Sequence, residues 1–282
     1  RAMSAACSLI NTATGALYDA GHFGATLSIR IDGREVAELP ILAQPGEIGR
    51  IEIAVDPGPA FRFDATRIAP LAPGTDLPGG FAPGEPARSA AIRAAATASI
   101  DGWRDAGHAK ARVADQTIVA DHARARLSAD LVLAPGPRLR FGALSVTGNE
   151  RVRTDRVRAI AGLPEGETFS PAELRRVGQR LRRTGAFASV ALSEAERPGP
   201  DGTLGIEAEL VEEKPRRLGF GAEISSVEGG RLSAFWYHRN IFGGAERLRL
   251  DGEIAGLGGQ TGGEDYSLGA RLSRPATPDP DT

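Results

Sequence analysis

Three blocks that mix helical and alternating apolar spacing are followed, after Pro215, by a region that only alternates. In residues 4–20, Leu9, Ile10, Ala13, Leu17 and Tyr18 recur at helical spacing, and Gly21 supplies a stop signal. Residues 25–31 and 50–55 then alternate with period two, so the first block (1–57) reads as helix, strand, strand. The second block (58–137) predicts a strand over 60–70, a Pro/Gly-rich loop over 71–86, an Ala-rich helix over 87–106, and strands over 109–119 and 123–133. The third block (138–215) predicts a strand over 139–146, a turn at Gly148-Asn149, and a helix over 154–161 with Thr154 as N-cap and Gly162 as stop. Its second helix opens with Ser170 as N-cap, Pro171 at the first helical position and Glu173 at the third, and runs to Arg183 before Gly185. Strands over 188–193 and 205–211 complete the order β-α-α-β-β. Against that order the first block lacks an opening strand and a first helix, so the chain is expected to begin partway through a module.

The blocks echo one another in sequence. Pro57-Gly58-Pro59 with Phe61 and Phe63 returns as Pro135-Gly136-Pro137 with Leu139 and Phe141, a spacing of 78 residues. Tyr18 to His22, Trp103 to His108 and Arg182 to Phe187 each close a helical stretch and lead into a strand. Self-similarity at a fixed period marks an array of small modules rather than one large core. Phe220, 79 residues after Phe141, continues the spacing into the purely alternating region, which places the end of the modules near residue 215.

Beyond Pro215, Leu218, Phe220, Ala222 and Ile224 share one face of a strand, and Gly219, Gly221, Glu223 and Ser225 share the other. Leu248, Leu250 and Ile254 oppose Arg247, Arg249, Asp251 and Glu253, and Tyr266, Leu268, Ala270 and Leu272 oppose Ser267, Gly269, Arg271 and Ser273. Strands of about ten residues with this alternation fit an outer-membrane barrel, although a one-sided soluble sheet gives the same pattern. The fold class is therefore α+β modules followed by antiparallel strands over residues 216–282. The tail from Arg274 to Thr282 reads as a turn.

Composition removes several function classes. Thirty-four basic and 36 acidic residues nearly cancel, so no global field points to nucleic acid. The single cysteine, Cys7, excludes an intramolecular disulfide and a cysteine-based zinc site. His22, His108, His122 and His238 lack metal-ligand spacing, and His22 with His108 holds an equivalent place after a helix-stop glycine, which suits a structural cap. Ser225-Ser226 lacks a nucleophile elbow, and Gly219-Phe220-Gly221 lacks the third glycine of a dinucleotide fold. Glu207, Glu209, Glu212 and Glu213 read as the wet face of an edge strand. No catalytic, cofactor or metal site is expected, and the chain is not expected to be an enzyme.

Val146-Thr147-Gly148-Asn149 opening the third block, Gly185-Ala186-Phe187 leading into its second strand, and Arg217 to Ala222 with Asn240 to Glu246 beyond it resemble the Omp85 superfamily. The resemblance implies tandem POTRA domains followed by the first strands of an incomplete transmembrane β-barrel. Three modules favour the TamA branch; five would suit a BamA-like barrel assembly protein and two a two-partner secretion transporter. The implied setting is the cell outer membrane with the POTRA domains in the periplasm. The implied partners are a TamB-type protein anchored in the inner membrane, unfolded outer-membrane protein clients such as autotransporters, and outer-membrane lipid. The first barrel strand, with Leu218, Gly219, Phe220, Gly221, Ala222, Glu223, Ile224 and Ser225, would form a lateral seam that Gly219 and Gly221 loosen. Arg176, Arg180 and Arg183 would meet an acidic partner or lipid headgroups, and Trp236 and Tyr237 an interfacial aromatic belt. A barrel of this kind needs about sixteen strands, and 67 residues follow Pro215, so a fragment of the barrel is expected.

Overall fold

The computed structural model describes residues 12, 14–36, 49–259 and 263–281. Two compact units divide the chain, Arg1–Gly136 and Pro137–Thr282.

In the first unit, helix α1 (14–20) precedes β1 (Thr26–Ile31), the short β2 (Arg34–Glu35) and β3 (Ile51–Asp56). The part of the expected first helix over residues 4–11 and 13 lies outside the described residues. These strands form an antiparallel sheet of order β2-β1-β3. The same unit continues with β4 (Arg62–Ala69), α2 (Ser89–Asp105), β5 (Arg112–Asp121) and β6 (Arg126–Ala134). β4 pairs parallel with β6, and β6 pairs antiparallel with β5. A parallel neighbour requires a crossover, which the Pro/Gly-rich loop and α2 provide. Period-two alternation in β6 buries Leu127, Ala129, Leu131 and Leu133 against Phe61, Phe63, Phe81 and Ile92.

The second unit repeats this arrangement with β7 (Arg140–Thr147), α3 (Thr154–Ala161), α4 (Pro171–Arg183), β8 (Phe187–Glu194) and β9 (Thr203–Glu212). Sheet order β7-β9-β8 matches β4-β6-β5, and Leu204, Ile206, Ala208 and Leu210 of β9 are buried as their counterparts in β6 are. The central position of β9 corrects the expectation that its carboxylates line an edge strand. Glu207 and Glu209 do face solvent, whereas Glu212 turns inward. A second correction concerns α3. Arg153 is its N-cap, and Thr154 Oγ1 accepts a hydrogen bond from Asn149 Nδ2 at 2.9 Å in place of capping the helix. Ser170 caps α4 as expected by accepting from the Glu173 N–H, but the Glu173 carboxylate goes to Arg176 and Arg180 and closes no reciprocal box.

The repeat extends to individual backbone bonds. Phe63 N–H donates to Glu85 O and Gly84 N–H to Phe63 O, and Phe141 N–H donates to Glu167 O and Gly166 N–H to Phe141 O. Gly84 and Gly166 both have positive φ, which only glycine adopts freely. His22 Nδ1 contacts Gly58 O at 3.1 Å and His108 Nδ1 contacts Gly136 O at 2.8 Å, so both histidines tie their module to the proline-rich exit segment.

After β9 the second unit carries β10 (Arg216–Ser225), β11 (Gly229–His238), β12 (Arg247–Leu257) and β13 (Asp265–Ser273) in a simple antiparallel meander. Phe220 does not take the place of Phe63 and Phe141. Those two are fully buried in module cores, while Phe220 is 79% exposed on the meander.

Candidate functional site

Register sorts the meander into two chemically distinct faces. One face carries the rows Leu218–Trp236–Leu250–Ala270, Phe220–Ala234–Gly252–Leu268 and Ala222–Leu232–Ile254–Tyr266. No helix or second sheet covers it among the described residues, and Ile224 and Leu268 are 91% and 94% exposed. The other face carries Arg217–Tyr237–Arg249–Arg271, Gly219–Phe235–Asp251–Gly269 and Gly221–Ser233–Glu253–Ser267. Four of its charges pair: Arg231 meets Glu253 at 3.5 Å and Arg249 meets Asp251, while the Arg249 guanidinium lies 4.9 Å from the Phe235 ring centroid. Soluble sheets put the apolar face against a core and the polar face to water. This sheet keeps its paired charges on one side and leaves a contiguous apolar face open, which marks that face as an interaction surface.

The expected seam residues Leu218 to Ser225 all lie on β10, which occupies one end of the sheet order. Gly219 and Gly221 also bear on packing across the hairpin. A Cβ at Gly219 would overlap the Phe235 ring and one at Gly221 would crowd Ser233 Oγ at 2.7 Å, so both glycines make room for their β11 partners. Gly229, at φ +79°, begins β11 at the close of the β10–β11 hairpin.

Two connections at the base of the meander fold onto the preceding module. In the β11–β12 connection Ala245 and Glu246 are buried, Gly244 N–H donates to Glu246 Oε2 at 2.8 Å, and Gly243 O accepts from Arg153 N–H at 2.9 Å. The segment after β13 lies against α3 and α4. Arg180 Nε and Nη2 donate to the two carboxylate oxygens of Asp281, each at 2.8 Å, and Arg180 Nη1 donates to Ala161 O and Gly162 O at the end of α3. Arg183 reaches Asp281 at 3.3 Å, and Arg156 Nη2 donates to Pro275 O at 2.8 Å. Thus the arginines expected to meet a partner or lipid have internal partners: the Arg180 side chain is only 9% exposed, and Arg176 pairs with Glu173. Their spacing at Arg176, Arg180 and Arg183 revealed a common helix face, but a contact with Asp281, 101 residues away, left no signal in the sequence.

The Asp281 carboxyl is held below the ordinary aspartate value, first by its hydrogen bond from Arg180 and then by the charges of Arg180 and Arg183, while the Arg180 pKa is raised by the same contact. A depressed carboxyl pKa means the latch contributes at pH above about 3.9 and is lost as pH falls through the lower folded value. Asp281→Asn is therefore expected to mobilise a spin label at Thr277 at neutral pH, whereas the parent protein shows that mobility only in stronger acid. Equal spectra for parent and variant at neutral pH would discount the latch.

Among the described residues no group of three or more His, Cys, Asp or Glu side chains could hold a metal ion, and no helix is long and apolar enough to cross a membrane. Residues 139–212 match the family model "POTRA: Surface antigen variable number repeat". Two solved structures share the fold. BamA from Haemophilus ducreyi lacking POTRA domains 1-3 is 19% identical, with a TM-score of 0.56 over 69% of this chain and 37% of that one. Haemophilus influenzae BamA POTRA3-5 is also 19% identical, with a TM-score of 0.53 over 70% of this chain and 76% of that one. The chain thus spans well under half of the first of these structures. No curated protein matches the sequence.

Proposed function

We propose that this chain is the module array and first barrel strands of an outer-membrane assembly or secretion factor of the Omp85 superfamily, acting by binding and not as an enzyme. The observation that carries the reading is the meander. Strands of 9 to 11 residues have the length that crosses a bilayer core, and their open face is apolar from the row of Leu218 to Ile224. They directly follow a module matched to POTRA, so the apolar face belongs in the outer membrane and the modules in the periplasm. Four strands leave two sheet edges, and lipid cannot satisfy their backbone groups, so further strands must close the barrel.

The modules supply the client-binding half of the mechanism. β5 ends its sheet, pairs only with β6 among the described residues, and exposes Ile118 and Val119. An extended client strand adding to that edge gains main-chain hydrogen bonds that are largely independent of its sequence, which suits varied unfolded barrel proteins. Three module blocks ahead of the barrel support a TamA-like factor that works with a TamB-type partner and assists autotransporters. A photo-cross-linker at Thr117 of β5 is expected to capture a purified, urea-denatured outer-membrane protein on dilution, with unlabelled client competing. Absence of adducts, or adducts that an unlabelled client leaves unchanged, would remove the client-binding role.

A further inference from the structure

The apolar face of the meander is bounded unequally. At its module-proximal end, the row beyond Leu218–Trp236 pairs Arg216 with His238 and continues through Leu248 and Leu272. At the distal end the same face carries Ile224, Ile254 and Tyr266, and the Tyr266 hydroxyl donates a hydrogen bond to the Glu264 carboxylate. One rim of the apolar face is therefore cationic and the other is not.

Arg216 and His238 form a matched pair of donors. They sit directly opposite across β10 and β11, which brings their Cβ atoms to about 5 Å. Arg216 is exposed and makes no ion pair among the described residues. His238 Nδ1 accepts the Asn240 N–H at 3.2 Å, which fixes the neutral tautomer with Nε2–H as the remaining donor. The Trp236 indole lies against the imidazole with ring centroids 5.7 Å apart, and tryptophan favours the level where hydrocarbon gives way to headgroups. Arg274, by contrast, is held by Glu246 at 3.6 Å.

We infer that Arg216 and His238 bind the phosphate of an anionic phospholipid headgroup, with Trp236 marking the depth of the acyl boundary. The guanidinium and the imidazole Nε2–H donate to phosphate oxygens while the adjoining Leu218 row meets the acyl chains. The site fixes which end of the strands faces the module-side leaflet and holds the barrel at a defined depth.

The inference rests on the membrane reading of the apolar face, and vesicle flotation of the full chain separates the two. Vesicles of phosphatidylcholine alone are compared with vesicles in which about a third of the lipid is phosphatidylglycerol. The parent chain is expected to bind both and to favour the anionic vesicles. Arg216→Ala is expected to lose about fivefold of its affinity for anionic vesicles, the effect of one cation near an anionic surface, and to keep its affinity for phosphatidylcholine. His238→Ala should lose a smaller part of the same preference. Arg217→Ala is the control, because it removes the same charge one residue away on the polar face. Equal losses for Arg216→Ala and Arg217→Ala would reduce the site to general surface charge and overturn it, as would an unchanged preference in Arg216→Ala. A parent chain that binds neither vesicle would instead overturn the membrane reading itself.

Discussion

Leu268→Arg is expected to weaken association of the chain with phosphatidylcholine vesicles by about tenfold to 100-fold. Leu268 lies near the middle of β13, opposite Gly252, and is 94% exposed on the apolar face. Four strands with open edges can lie on the bilayer surface but cannot span it, so the cost is that of withdrawing one leucine side chain from apolar contact, about 1.5–3 kcal/mol, where each 1.4 kcal/mol is a factor of ten. The neighbouring substitution Ser267→Arg inserts the same side chain one position earlier. There it projects to the polar face opposite Glu253, where a carboxylate can meet it, and vesicle binding should change little. The contrast tests the facial assignment and not merely the fold, since both variants lie on one exposed strand with equal access to solvent. If Ser267→Arg were the damaging variant, the two faces would be reversed; if neither mattered, the apolar face would not meet lipid.

The same alternation explains why the meander was legible in sequence and its base was not. In β10, β12 and β13 each side chain's face follows from parity alone, so the strand faces that hold Leu218, Leu250 and Leu268 could be written down before any strand was paired. Module cores were legible for a similar reason, because Phe63 and Phe141 hold equivalent buried places in β4 and β7 at one spacing. The hydrogen-bonded partners Glu85 and Glu167 were open to the same comparison, since each follows a glycine at an equivalent place after the first strand. Three features had no local signal. The role of Gly219 depends on Phe235 across the hairpin, the grip of Arg180 on Asp281 spans most of the second unit, and the N–H groups that meet Glu212 lie in a loop 60 residues earlier. Periodicity reports which face a residue occupies, but it carries no information on which distant group completes a polar contact. Parity does separate Glu212, on the face of Ile206, Ala208 and Leu210, from Glu209 on the opposite face, but it does not name the donors that meet the Glu212 carboxylate there.

Glu212→Ala is expected to be among the most damaging polar substitutions in the second unit, costing about 3 kcal/mol and lowering the melting temperature by about 10 °C. Glu212 ends the central strand β9, and its side chain is only 8% exposed. Its Oε1 accepts three consecutive backbone N–H groups, from Glu150 at 2.9 Å and from Arg151 and Val152 at 2.8 Å each. Successive N–H groups aimed at one point form an anion-binding nest, and removing the carboxylate leaves all three without their acceptor. The loss extends beyond the loop. Asn149 and Arg153 flank the nest, Asn149 Nδ2 donates to Val152 O, and Arg153 N–H donates to Gly243 O in the β11–β12 connection. Glu212 therefore sets the geometry through which the module grips the base of the meander. Glu212→Gln keeps a neutral acceptor and should lose about half as much, while Glu209→Ala, on the exposed face of the same strand, should stay within about 0.5 kcal/mol. Thermal unfolding of the three variants decides the matter. Equal melting temperatures for Glu212→Ala and Glu209→Ala would show that the nest contributes nothing beyond a solvated surface carboxylate.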